Sequence, residues 1–251
     1  MSQADGSVLI DTKLDSKGLE DGLKGLGSTA QKALSAAAKA GTAAITAAAA
    51  GVVKNIGAAA IQSYGEYEQL VGGVETLFKG SADTVQEYAA NAYKTSGLSA
   101  NDYMETATSF AASLLQSLGG DTEKAAQVTE MAINDMSDNA NKMGTDMSAI
   151  QYAYQGFAKQ NYTMLDNLKL GYGGTKKEME RLLADATKIS GVKYDISNLN
   201  DVYQAIHVIQ ENLGITGTTA LEAATTIQGS AAMMKAAWQN MRRTSISFST
   251  D

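Results

Sequence analysis

His207 is the sole histidine of this 251-residue chain, and the chain has no cysteine. That inventory limits the available chemistry. Without thiols there is no disulfide, no thiolate metal site and no cysteine nucleophile. One imidazole leaves little material for a catalytic triad or an imidazole metal site. Beside Ile206 on a helix, it reads as a packed or half-exposed residue. Glu178 and Glu180 fall on different helix faces, which suits no acid–base pair. The run Gly171-Tyr172-Gly173-Gly174-Thr175-Lys176-Lys177 has the composition of a phosphate loop but lacks the G-x-x-x-x-G-K-[ST] spacing, and no strong strand precedes it. It reads as a glycine turn into a capped helix. The stretch from Asp135 to Asp146 is rich in Asp and Asn. A calcium loop beginning at Asp135 needs glycine at its sixth position and glutamate at its twelfth, where the chain has Ala140 and Asp146. The expected reading is a solvated helix face. Asn161-Tyr162-Thr163 matches a glycosylation sequon, which has meaning only in a secreted chain. Met104, Met131, Met136, Met143 and Met147 read as adaptable core filling. No constellation here carries an enzymatic reaction, so no catalytic, cofactor-binding or metal-ligating residue is assigned.

The elements that would position such groups are helical. Proline is absent, hydrophobic residues make up 44% of the chain, and the formal net charge is −7. That charge argues against general binding to nucleic-acid backbones, which needs a basic surface. Residues 2–15 lack the apolar core of a secretory signal peptide. Val8, Ile10, Thr12 and Leu14 alternate with other residues and predict a short strand. Asp15 then caps a helix carrying Leu19, Leu23 and Leu26, so residues 1–27 form a small strand–helix unit.

Residues 73–241 read as a helical globular region. Ser81 opens a helix to about Lys94. Ser99 and Asp102 resemble a capping box, as do Thr175 with Glu178 and Thr219 with Glu222. Gly119 and Gly120 stop the helix that begins near Ser99, and Asp121 starts the next, with Val128, Ala132, Met136, Ala140 and Met143 on one side. A further helix covers about 147–159. Stripes at Met179, Leu182, Leu183, Ala186 and Ile189, and at Val202, Ile206, Ile209 and Leu213, mark two more. The last helix is expected to reach about Met241. The fold class is therefore all-α: a long alanine-rich helix, a multi-helix bundle and one short N-terminal β-strand.

Fourteen of the thirty residues from 33 to 62 are alanine, which predicts one helix over residues 28–72. Ala37, Gly41, Ala44, Ala48, Gly51 and Ala58 fall at steps of three and four with Asn55. They form a flat helix-packing face that lets another backbone approach closely. Residues 40–53 carry no charge, but Lys54 and Asn55 follow. A spanning helix wants about 20 apolar residues, so a constitutive transmembrane helix is not expected.

The block Ala153-Tyr154-Gln155-Gly156-Phe157-Ala158-Lys159-Gln160-Asn161-Tyr162-Thr163-Met164-Leu165-Asp166-Asn167-Leu168-Lys169-Leu170-Gly171-Tyr172-Gly173-Gly174-Thr175 closely resembles a segment of phage tail tape measure proteins, from tailed phages and prophages of Gram-positive type. Four more stretches agree. They are Tyr67-Glu68-Gln69-Leu70-Val71-Gly72-Gly73-Val74-Glu75-Thr76-Leu77-Phe78, Met136-Ser137-Asp138-Asn139-Ala140-Asn141-Lys142-Met143-Gly144, Leu213-Gly214-Ile215-Thr216-Gly217-Thr218-Thr219-Ala220, and Met234-Lys235-Ala236-Ala237-Trp238-Gln239-Asn240. The opening from Val8 to Leu26 looks like the start of such proteins, and the resemblance covers roughly residues 5–240.

The resemblance implies a structural virion protein without enzymatic activity or cofactor. It would lie as a helical homo-oligomer, a trimer or hexamer, inside the tail tube, where its length sets the number of tube rings. Its partners would be tail tube and tail assembly chaperone proteins, with no specific nucleic acid. Ejection ahead of the genome implies transient contact with the host membrane. Its locations would be the virion tail lumen and, during assembly, the host cytoplasm. The alternative from another class is a membrane-active or pore-forming protein using the alanine-rich helix.

Two departures from the family stand out. At ~1.5 Å per residue a wholly helical chain of this length spans only about 375 Å, which is short for a ruler. The polar Ser/Thr-rich stretch 242–251 also replaces an expected helix, and reads as a disordered or out-of-frame tail of a truncated N-terminal portion.

Overall fold

The computed structural model of the chain describes residues 65–225 together with residues 236, 237, 239 and 240. Among these residues the chain is all-α and contains no strand. Helix α1 is described over residues 65–78. A 3-10 turn, Lys79–Ser81, leads to α2 (Ala82–Thr95), α3 (Ala100–Ser117), α4 (Thr122–Met143) and α5 (Met147–Phe157). A loop containing a second 3-10 turn, Leu165–Leu168, precedes α6 (Lys176–Ser190), α7 (Leu199–Asn212) and α8 (Thr218–Thr225). The expected strand at Val8–Leu14, the alanine-rich segment up to residue 64 and the tail 242–251 lie outside the described residues.

The helix boundaries follow from local chemistry. Ser99, Asp121, Asp146, Thr175 and Asn198 each accept a hydrogen bond from an amide two or three residues ahead, at the starts of α3, α4, α5, α6 and α7. A cap of this kind stabilises its helix by about 1 kcal/mol. The stop at Gly119–Gly120 is made by the Gly120 amide, which donates to the Leu115 carbonyl at 2.8 Å.

Two of the expected capping boxes use their acid in another way. At α3 the Ser99 hydroxyl donates to the Asp102 carboxylate at 2.6 Å. At α6 the Glu178 carboxylate reaches past Thr175 and accepts from the Gly173 amide at 3.1 Å. At α8 the helix starts two residues earlier than expected, at Thr218, so Thr219 is not its cap at all. Helix α1 also crosses position 72, where the sequence places the end of the alanine-rich helix.

The core is built around α4, which packs against α2, α3, α5, α7 and α8. Helices α6 and α7 pair with each other. Alanine does much of the close packing: Ala89 and Ala92 on α2, Ala107 and Ala111 on α3, and Ala125, Ala126 and Ala132 on α4 are all buried. Small side chains shorten the distance between helix axes. Bulk is concentrated in an aromatic cluster at the junction of α3, α5 and α7. Phe110 meets Tyr203 edge-on with centroids 5.5 Å apart. Tyr154 lies 5.0 Å from Tyr203 and 5.7 Å from Phe157. Each such pair adds roughly 0.5–1.5 kcal/mol beyond its buried area. Helix α1 joins this core through Val74 and Phe78, one turn apart and both fully buried.

Candidate functional site

The helix-packing face at Ala37, Gly41, Ala44, Ala48, Gly51 and Ala58 lies outside the described residues. Within them, the densest concentration of polar groups is a seam along the C-terminal half of α4.

Asp135, Met136, Ser137, Asp138 and Asn139 are consecutive and all buried. The expectation of a solvated face over Asp135–Asp146 is therefore wrong for its first five residues. The physical reason is the position of α4. A helix wrapped by five others has no solvent face there, so its polar side chains must find partners on its neighbours. Both carboxylate oxygens of Asp135 lie 2.9 Å from Nδ1 of His207 on α7. The Asp138 carboxylate accepts from the Gly217 amide at 2.6 Å and the Thr219 amide at 2.7 Å, at the start of α8. Asn139 donates from Nδ2 to the Leu168 carbonyl at 3.0 Å, in the second 3-10 turn. Three side chains within five residues thus tie the central helix to three other elements.

The electrostatics of the pair follow from its burial. The Asp135 side chain is 2% exposed and that of His207 27%. Burial pushes the Asp135 carboxyl up, while the His207 hydrogen bond pulls it down. The hydrogen bond to Asp135 lifts His207 above the ordinary imidazole value, and burial opposes it. The rise at His207 is the direction the geometry supports, because both carboxylate oxygens converge on one ring nitrogen. Behind them, Gln210 donates to the Tyr154 hydroxyl at 3.5 Å and the Tyr203 hydroxyl donates to the Tyr154 carbonyl at 3.0 Å. Burial holds both phenols well above the usual range.

A carboxylate that fixes one ring nitrogen of a histidine is the orienting half of a hydrolytic triad. Here no hydroxyl is hydrogen-bonded to the ring among the described residues. What the dyad does in this chain is join α4 to α7.

The other sequence candidates are local turns. Asp135 and Asp146 do not converge: Asp146 is an exposed cap that accepts from the Ser148 hydroxyl and amide, which hold its carboxyl below the ordinary value. No group of acidic, histidine or cysteine side chains among the described residues could hold a metal ion. The glycine run 171–174 is closed by its own chain. Arg181 donates to the Gly171 carbonyl at 2.7 Å and to Glu178 at 2.6 Å, and its guanidinium stacks 4.3 Å over the Tyr172 ring. The amide that would meet a phosphate, that of Gly173, already faces a carboxylate. Asn161 of the sequon is exposed and accepts from the Thr163 amide and hydroxyl. Met104 and Met136 are fully buried, in keeping with core filling.

Sequence reasoning missed Asp138 as a partner of another helix. Two signals pointed to it: an Asp-x-x-Asp-Asn run inside a helix long enough to be central, and a Gly217-Thr218 start with no side chain at the cap position. Among the described residues no helix is long and apolar enough to cross a membrane. No protein-family model, no curated protein and no solved structure matches the chain.

Proposed function

We propose that this chain is part of a phage-type tail tape measure protein, a structural component that assembles with copies of itself and with tail tube and chaperone proteins. The observation that carries this reading is the block 153–175, whose order of residues resembles that family. The packing gives that order a physical basis. Tyr154, Leu165 and Leu168 are fully buried. At Gly156 an added Cβ would sit 3.0 Å from the Asn161 carbonyl oxygen, and at Gly174 it would sit 2.2 Å from that of Thr163. The loop after α5 therefore folds back on itself so tightly that residue identity at these positions is constrained.

In-frame deletion or duplication of whole helical turns within residues 33–61, read by electron microscopy of assembled tails, tests the proposal. Tail length should shift by about 1.5 Å per residue removed or added. Unchanged length would refute the ruling role. Light scattering of the purified chain tests self-association, with a trimer or hexamer expected and a monomer counting against it.

A further inference from the structure

A groove of about 470 Å³ lies between the first half of α3 and α5. It carries three carboxylates, Asp102 and Glu105 from α3 and Asp146 from the cap of α5, and no lysine, arginine or histidine lines it. All three acids are exposed. The cap bonds of Asp146 go to one of its two oxygens, which leaves the other facing outward. Tyr152, also lining the groove, is 59% exposed. An aromatic face beside carboxylates suits a guanidinium group, which stacks on the ring and donates to the acid. The molecule already uses that arrangement once: Arg181 stacks 4.3 Å over the Tyr172 ring and donates to Glu178 at 2.6 Å.

The chain itself returns to one end of this groove. The Ala100 amide, the first of α3, donates to Oδ1 of Asn240 at 2.9 Å. Ala236, one turn before Asn240, is 3% exposed, so the chain is anchored on the bundle at this point. Leu98 and Asp102 of the groove flank that amide. Arg242 and Arg243 follow Asn240 closely in the sequence and lie outside the described residues. Two residues of chain reach at most about 7 Å and three about 11 Å. Asp102 and Glu105 stand only ~3 Å and ~7.5 Å along the α3 axis from Ala100. Both acids are therefore within reach of the two guanidinium groups.

We propose that Arg242 and Arg243 of the same chain occupy this groove, pairing with the Asp102, Glu105 and Asp146 carboxylates while one guanidinium stacks on the Tyr152 ring. Two cations meeting three acids form a network, which is worth more than an isolated surface pair. The short tether from Asn240 gives the contact a high effective concentration. The groove thereby clasps the chain as it leaves the bundle and fixes the direction in which it continues.

Trypsin digestion of the full folded chain, with cleavage after Arg242 and Arg243 followed by mass spectrometry, tests this. In Glu105→Gln the two sites should be cut roughly threefold to tenfold faster than in the unmodified chain. Cleavage after Lys193, exposed in the loop between α6 and α7, should keep its rate. Equal cleavage at Arg242 and Arg243 in both chains would overturn the proposal. So would a matching acceleration at Lys193, which would trace the effect to a loosened fold. Should the variant fail to fold, the unmodified chain decides the matter. Added sodium chloride must speed cleavage at Arg242 and Arg243 relative to Lys193, because it screens exposed ion pairs. No such response would overturn the proposal. Protection that disappears on dilution would place the segment of a second copy in the groove and overturn docking within one chain.

Discussion

Removing His207 should cost the fold more than removing the acid it pairs with. In His207→Ala the Asp135 carboxylate stays buried without its partner. It can remain charged in an apolar seam or take up a proton. The second route sets a ceiling. Neutralising a carboxyl with an ordinary value of 3.8 at pH 7 spans about 3 pH units, or roughly 4 kcal/mol. Breaking a buried pair from one side costs a similar amount. Because the His207 side chain is 27% exposed, part of the charge was already screened, and about 2–4 kcal/mol is expected. In Asp135→Asn the amide oxygen can still accept from Nδ1 and no charge is left buried, so about 1 kcal/mol is expected.

The pH dependence gives an independent check. The folded-state value of His207 is raised, so its contribution is complete below about 6.5 and is lost as pH rises through the folded value. The folded-state value of Asp135 is also raised by burial, so its ionisation likewise works against the fold as pH rises. Unfolding free energy should therefore fall as pH rises above about 6.5 in the unmodified chain, and that slope should flatten in Asp135→Asn. Urea titrations followed by circular dichroism at several pH values measure both effects. If His207→Ala costs no more than Asp135→Asn, or if the slope survives in Asp135→Asn, the pair is not the coupled, buried unit described above.

Gly174→Ala places a Cβ 2.2 Å from the Thr163 carbonyl oxygen and 2.9 Å from its carbon, so backbone must move. A loss of about 3 kcal/mol or more is expected, lowering the melting temperature by roughly 6–12 °C. A shift of less than about 2 °C in calorimetry would mean that the loop is not packed this way. Ultraviolet absorbance titration should show Tyr103, Tyr154 and Tyr203 ionising only with alkaline unfolding, because burial raises all three phenols, and Glu130 adds to the rise at Tyr103. Their titration in the folded chain near the ordinary value of 10 would contradict their burial. Tyr203→Phe removes a buried 3.0 Å hydrogen bond to the Tyr154 carbonyl and should cost about 1 kcal/mol in urea unfolding.

The helices were legible in the sequence because their signals are local. Ser99, Asp121 and Thr175 cap the helices they were expected to cap, and Gly119–Gly120 ends α3. Periodicity also marked Met179, Leu182, Leu183 and Ala186 as the buried side of α6, while Ile189, the fifth member of that stripe, is exposed. It failed where burial depends on the neighbours of a helix. Val128, Ala132 and Met136 define one apolar side of α4, and a one-sided helix predicts solvent on the other. Five surrounding helices remove that solvent. Leu213 shows the opposite error: it continues the stripe of Val202, Ile206 and Ile209, yet it lies beyond the end of α7 and is 51% exposed.

The polar seam could not be read for the same reason that it exists. Asp135, Asp138 and Asn139 carry no local turn or cap signal, because each satisfies a group far away in the chain: an imidazole on α7, the amides that start α8 and a carbonyl in the second 3-10 turn. Apolar residues at these positions would take the Asp138 acceptor away from the Gly217 and Thr219 amides, at a helix start that is only partly buried. A polar central helix costs desolvation, but it specifies which element docks at each level of α4, which apolar packing alone would leave degenerate. The stretch 136–144 overlaps this seam, as does the stretch 213–220 that supplies the amides bound by Asp138. The two stretches are remote in sequence and meet at Asp138, so a substitution in one is expected to be felt in the other. Combining Asp138→Asn with Gly217→Ala, which strains a residue at φ +83° in the same contact, should therefore cost less than the sum of the two single changes. Additive costs would mean that the two stretches act separately.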